Sequence, residues 1–271
     1  MENRFIHVEV RDGSVVPAAA EVLVRAEAEH MTPTTELRGR LMGPRCRFAE
    51  TIEVAYPLRP FIRPPQGFAG LSGRAVIPEA SLWDPQSPFL YQGPIELWQD
   101  GRICQRVMVS HGLRTLVLGP RGLFVNGRRL VLQGRSVTAL TEAEALALRE
   151  AGVNLLVAPV SAATQALWDL ADRVGFLVLG RIADCDDETA ARVAALSAHA
   201  SCLGWLAAAA DVGRAPDGGF VGVSVERRLE GPLPERVQFV VGDAERTDLG
   251  LPLLVRGAKV ADAPGILGLV E

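Results

Sequence analysis

The spacing of hydrophobic positions changes partway along the chain. Up to about residue 111, apolar and polar residues alternate in short runs: Phe5-to-Val10, Glu21-to-Ala28, Arg47-to-Ala55 (with Phe48, Ile52 and Val54) and Leu71-to-Ile77. That is the period of strands with one buried face. Thr32-Pro33-Thr34, Gly43-Pro44 and Pro64-Pro65 punctuate the runs. Ile95 and Leu97, then Ile103, Val107 and Val109, continue the alternation on either side of Gln99-Asp100-Gly101. Seven or so strands at this spacing predict a β-sandwich. Beyond it, Phe124-Val125-Asn126-Gly127 predicts a hairpin with Asn126-Gly127 at its tip.

From Leu130 the period becomes helical between short apolar runs. Thr141-Glu142-Ala143-Glu144 is a capping box, and Leu146, Ala147, Glu150 and Ala151 follow a helical period up to Gly152. A strand is predicted at Val153-to-Val157, then a helix at Ser161-to-Val174 with Ala163, Leu167, Leu170, Ala171 and Val174 on one face and Gly175 as its stop. Strand Phe176-to-Leu179, an acidic loop Ala183-to-Glu188, helix Glu188-to-Ala198 and strand Leu203-to-Ala207 follow. Alternation of this kind predicts parallel strands. Four further strand-like runs, Phe220-to-Val225, Val237-to-Val241, Leu251-to-Val255 and Ile266-to-Val270, are separated by only about nine to eleven residues. Crossover helices normally need a dozen or more. An eight-strand barrel whose second half has lost its outer helices fits, with an open sheet ending in an antiparallel meander as the alternative. Bare strand faces would then need a partner or the sandwich to cover them.

Composition narrows the function classes. Hydrophobic residues make up 48% and charged residues 22%, ordinary globular values. A net charge of −4 gives no footprint for nucleic acid or an acidic membrane. The longest uncharged stretch, Val193 to Ala210, is Ala-rich and broken by Ser197, His199, Ser201 and Gly204, so no span is expected. The start, MENRFIHVEV, has no signal-peptide pattern, and a cytoplasmic location is the default expectation. Cys46, Cys104, Cys185 and Cys202 form no Cys-x-x-Cys pair; Cys46 and Cys104 fall on expected sandwich strands, where free thiols are favoured over a bridge between sheets. His7, His30, His111 and His199 are scattered, so neither a metal site nor a cofactor is expected.

One ordered series of motifs carries a resemblance. Leu82-Trp83-Asp84-Pro85, Pro88-Phe89-Leu90-Tyr91, Gly112-Leu113-Arg114, Phe124-Val125-Asn126-Gly127 and Leu132-Gln133-Gly134 look like the junction in family 2 glycoside hydrolases, the β-galactosidase and β-glucuronidase group. Gly152-Val153-Asn154, Leu170-to-Val178 and His199-Ala200-Ser201 with Trp205 resemble that family's barrel segments. The resemblance implies an immunoglobulin-like sandwich at 1–111, then a contracted (β/α)8 TIM-type barrel at 112–271. It also implies a degenerate member lacking the sugar-binding domain that precedes the sandwich.

Retaining glycosidases need two carboxylates about 5 Å apart. Laid over this chain, the family's acid/base phrase puts its Asn on Ala209 and its Glu on Ala210, and its nucleophile phrase falls on Arg256 or Gly257. The strand-two Arg is Val157, and the His after strand one is replaced within Arg135-Ser136-Val137-Thr138. A methyl group, a guanidinium or a hydrogen cannot transfer the proton or form the glycosyl intermediate. Nearby acids at the expected strand ends are Asp184, Asp186, Asp187, Asp211, Glu226, Asp243 and Glu245. Arg135, Arg227, Arg228 and Arg256 either bind an anion there or pair with those acids, pairing being favoured. Trp205 either lines a sugar-stacking cleft or fills the barrel; Trp83, Trp98 and Trp168 read as packing. The cleft candidates are therefore Arg135, Asp184, Trp205, Asp211, Glu226, Asp243 and Arg256. The expected function is that of a pseudo-glycosidase, with a carbohydrate ligand or an assembly role. The alternatives are a working O-glycosyl hydrolase using Asp211 and Glu226, and an interaction domain without ligand. A homo-oligomer covering the helix-poor barrel half would mark the last.

Overall fold

The computed structural model of the chain describes residues 3–60, 70–184, 186–214, 219–225, 234–242, 251–257 and 266–271. The chain divides into two compact units, Met1–Trp83 with Ser87–Arg114, and Asp84–Gln86 with Thr115–Glu271.

The first unit is all β. Its strands are β1 (Phe5–Val16), β2 (Ala19–Ala28), β3 (Glu36–Arg45), β4 (Val54–Pro57), β5 (Arg59–Pro60), β6 (Leu71–Pro78), β7 (Leu90–Gln99) and β8 (Arg102–His111). They form two antiparallel sheets, ordered β1-β2-β6-β5 and β4-β3-β7-β8. Alternate residues of β2 and β6 (Val22, Val24, Ala75, Ile77) and of β3 and β7 (Leu37, Leu41, Tyr91, Ile95) meet in one core. Tyr91 is wholly buried; its hydroxyl accepts from the Ser81 amide at 2.9 Å, and burial pushes its pKa up to about 12. The strand expected at Arg47-to-Ala55 is corrected. Residues 46–53 lie outside any strand, Phe48 and Ile52 are exposed, and β3 runs just before them. Two glycines hide the alternation of β3. A Cβ at Gly39 would lie 2.4 Å from the Pro94 carbonyl oxygen, and one at Gly43 would lie 2.7 Å from the Tyr91 ring. Cys46 directly follows β3 and Cys104 lies on β8, in the same sheet; both are free thiols, so no bridge joins the two sheets. Cys185 lies outside the described residues.

The second unit begins with a three-stranded antiparallel sheet, β9 (Leu116–Gly119), β10 (Gly122–Val125) and β11 (Arg128–Leu130). Asn126 and Gly127 both have positive φ, +51° and +76°, as a two-residue hairpin requires. Eight parallel strands then close into a barrel: β12 (Leu132–Ser136), β13 (Leu155–Pro159), β14 (Leu177–Arg181), β15 (Cys202–Ala207), β16 (Phe220–Ser224), β17 (Phe239–Gly242), β18 (Leu253–Arg256) and β19 (Ile266–Val270). Pairing of β12 with β19 completes the circle and excludes the open sheet. Leu132, Leu179, Leu203, Phe220, Phe239, Leu254 and Leu267 fill the interior with Leu118 and Leu123 from the preceding sheet. The remaining void is about 10 Å³, space for one water at most. This is a packed core, not a channel.

Among the described residues, α-helices follow only the first three barrel strands: α1 (Glu142–Glu150), α2 (Gln165–Val174) and α3 (Asp187–Leu196). Thr141 and Glu144 form the expected capping box of α1, and Gly175, at φ +89°, ends α2. Ala163, expected on the inner face of α2, is exposed in the short 3₁₀ turn that leads into the helix. The bare outer face expected in the second half is also corrected. Val221, Val223, Val240, Leu253 and Val255 are at most 4% exposed within the single chain, in a cluster with Val212 and Val237.

Three polar side chains tie the barrel's early elements together. The Asn154 carboxamide accepts from the Gln133 amide and donates to the Val131 carbonyl, both at 2.9 Å. Arg149, in the last turn of α1, donates to the carbonyls of Val174 and Gln86, each at 2.7 Å, and to that of Pro85. Asp172 of α2 is 6% exposed; it accepts from His199 Nδ1 at 2.8 Å and from the Ser201 amide at 2.7 Å. Removing it leaves buried partners uncompensated. Asp172→Ala should therefore cost about 3 kcal/mol in urea unfolding, against about 0.5 kcal/mol or less for the exposed Asp169→Ala. Equal effects of the two substitutions would contradict this role.

Candidate functional site

In a parallel barrel, chemistry gathers at the C-terminal ends of the strands. An open cleft of about 840 Å³ lies at the ends of β12, β13 and β14, between the 136–140 loop and α1. Arg135 and Arg181 line it, with the hydroxyl-bearing Ser136 and Thr138 and an apolar floor that includes Val157 and Pro159. Val157 occupies the strand-two position where the resemblance would place an arginine, and it is 3% exposed. The cleft's carboxylate is Glu144, whose Oε2 accepts from the Thr141 amide at 2.8 Å and the Thr141 hydroxyl at 2.6 Å. These bonds, the hydroxyl's foremost, hold its pKa below the usual value.

The sequence candidates are dispersed by the fold. Arg135 pairs with Glu271 at 2.9 Å, both side chains about half exposed. Asp184 is exposed in the loop between β14 and α3. Ala210 is exposed in a 3₁₀ segment (Ala209–Arg214) directly after β15, and Asp211 beside it is partly buried, its amide bonded to the Ala208 carbonyl at 2.9 Å. Arg256, at the end of β18, donates to the Ser224 hydroxyl at the end of β16. Gly257 follows with φ +73°. Glu226 and Asp243, with Arg227, Arg228 and Glu245, lie outside the described residues. Asp186 caps α3, accepting from the Thr189 amide at 2.7 Å, and that bond lowers its pKa.

Trp205 sits outside the cleft. It is fully buried, its ring 5.6 Å from that of Trp168 on α2, in the layer between strands and helices. A bulge explains the turn: Val178 pairs with Cys202 but Leu179 with Gly204, so one extra residue on β15 reverses which face the following side chains take. A Cβ at Gly180 would be 2.5 Å from the Trp205 ring, so the absent side chain makes the room the indole fills.

Asp172, His199 and Ser201 have the residue types of a catalytic triad, but their placement is structural. They lie before the first residue of β15, at the end of the barrel opposite the cleft. Ser201 is 0% exposed, and its bond to Asp172 runs through the backbone amide. No substrate can reach it. Arg181 is the residue that sequence reasoning missed. It ends the run Leu-Val-Leu-Gly-Arg, and the reasoning that singled out Asp184 three residues on applies to it equally.

No family model and no curated protein matches the sequence. Solved structures do match. A glycosyl hydrolase family 2 member from Bacteroides cellulosilyticus DSM 14838 aligns with a TM-score of 0.71 at 18% identity, over 98% of this chain and 45% of that one. A putative β-galactosidase from Bacteroides fragilis gives 0.66 at 13% identity over 97% and 54%. The Bifidobacterium dentium β-glucuronidase, in complex with coumarin-3-O-glucuronide, gives 0.66 at 13% over 94% and 53%. The chain thus shares the fold of family 2 glycoside hydrolases along nearly its whole length, and spans about half the length of these relatives.

The two lowered carboxyls give a signed expectation. Glu144 and Asp186 lose their protons more readily when folded. Their stabilising contribution is therefore complete above the ordinary values of 4.5 and 3.8 and is lost as pH falls through the lowered folded values. In NMR titrations, the Thr141 and Thr189 amide resonances should shift with midpoints below 4.5 and 3.8 respectively. Midpoints at or above those values would contradict the caps as described.

Proposed function

We propose that this chain is a glycoside-hydrolase-like protein of the family 2 type that has kept the scaffold and lost the reaction, and that serves as a carbohydrate-binding or assembly module. In this reading the first unit, up to about residue 111, corresponds to the family's immunoglobulin-like sandwich. The second is its (β/α)8 barrel in contracted form. One observation carries the functional part: Ala210 is exposed after β15 and Arg256 and Gly257 end β18, the strand ends to which the resemblance assigns the acid/base carboxylate and the nucleophile. A methyl group cannot protonate the leaving group, and neither a guanidinium nor a hydrogen can attack the anomeric carbon.

A second reading is a working O-glycosyl hydrolase with relocated acids. It is favoured by Asp211, which lies partly buried one residue beyond Ala210 at the same strand end. Against it, Glu144 in the cleft and Asp186 at the start of α3 both have their pKa held down by hydrogen bonds. A general acid working near neutrality needs the opposite shift.

Hydrolysis of a panel of aryl α- and β-glycosides, with Asp211→Ala in parallel, separates the two readings. The proposal expects no turnover above a buffer control for either protein. Turnover that falls by about a hundredfold or more in Asp211→Ala would establish the relocated acid instead.

A further inference from the structure

We propose that the cleft at the ends of β12, β13 and β14 takes a small ligand bearing an oxyanion, carboxylate or phosphate, with Arg181 as its principal anion contact and Arg135 as the second; this deepens the carbohydrate-binding reading and rests on it. The cleft's lining decides the ligand class. Among the described residues no aromatic side chain lines it, and so none of them offers a ring on which the apolar face of a neutral sugar could lie. Its carboxylate, Glu144, is turned back onto Thr141 and is committed to the helix cap. The strongest directional donors left are two guanidinium groups, whose planar forks match carboxylate and phosphate oxygens in pairs.

The two arginines differ in readiness. Arg181 is exposed at the last position of β14 and has no ion-pair partner among the described residues. Arg135 is paired with Glu271, but both side chains are about half exposed, and a pair so solvated exchanges readily for a better-held anion. The hydroxyl-bearing Ser136 and Thr138 stand on the same rim and can serve the ligand's remaining polar atoms. Val157 and Pro159 supply an apolar floor beneath it.

The test is titration calorimetry of the full chain with three probes of similar size: glucuronate, glucose 6-phosphate and glucose. Arg181→Gln and Glu271→Gln are measured alongside the unsubstituted chain, after circular dichroism has shown all three to be folded. The proposal expects at least one anionic probe to bind more tightly than glucose by about tenfold or more, and to weaken by a similar factor in Arg181→Gln. It expects Glu271→Gln to tighten the same probe by a few-fold, since Arg135 is released. Which anion binds better distinguishes carboxylate from phosphate. Equal affinities for all three probes, untouched by Arg181→Gln, would overturn the oxyanion inference and leave the carbohydrate-binding reading standing. No binding of any probe would overturn both. Anion binding insensitive to Arg181→Gln would overturn the assignment to this cleft, and insensitivity to Glu271→Gln would remove Arg135 from the site.

Discussion

The closure of β12 against β19 is the constraint on which the second unit depends. Leu132 pairs with Gly268 and Gly134 with Val270, and a Cβ at Gly268 would come within 1.9 Å of the Leu132 carbonyl oxygen. Closure sends every other side chain into an interior with almost no free space, so inward positions are apolar and large wherever a neighbour leaves room. Phe239 takes the space above Gly222, where a Cβ would meet its ring at 2.3 Å. Closure also brings all eight strand ends to one rim. That geometry is set by strand pairing and by the packed interior, so a barrel can keep its shape while the residues at its rim vary.

The motifs that carry the resemblance have structural explanations. Asn154 stitches the turn before β12 to the start of β13. Arg149 gathers carbonyls from the end of α2 and from Pro85 and Gln86; Gly175 is required beside them, since a Cβ there would lie 2.4 Å from the Pro85 oxygen. Asp172 joins His199 and the Ser201 amide in front of β15. Each of these residues satisfies buried backbone or holds an element in register, and none faces the cleft. In barrel enzymes generally, stability is held at the N-terminal face and chemistry at the C-terminal face, so one end can be kept while the other varies.

Much of this was legible in the sequence, for identifiable reasons. The capping box at Thr141 and Glu144 is a local device and formed where expected. The short connections in the second half still returned the chain for parallel pairing of β16 to β19. What was hidden depended on other parts of the chain. Gly39 and Gly43 disguised β3, because their bareness makes sense only once β7 lies against them. The side of the barrel that Trp205 faces depended on a bulge with no signal of its own, beyond a glycine whose Cβ would collide with the Phe220 carbonyl. The outer faces of β16 to β18 were expected bare because Val212 and Val237, which cluster with them, lie in stretches with no helical period to announce the contact. At the site, Arg135, Asp184, Asp211 and Arg256 do fall near strand ends. Only Arg135 enters the cleft, and Arg181 joins it unforeseen.

The proposed loss of the reaction turns on whether any carboxylate at the barrel rim can act as a nucleophile. The most direct measurement is intact-protein mass spectrometry after incubation with activated 2-deoxy-2-fluoro glycosides, which trap a glycosyl–enzyme ester wherever a carboxylate can attack the anomeric carbon. With Arg256 and Gly257 at the end of β18, no adduct is expected at any sugar configuration. A stoichiometric adduct, mapped by proteolysis to an Asp or Glu at the barrel rim, would contradict the account and make this chain a working glycosidase.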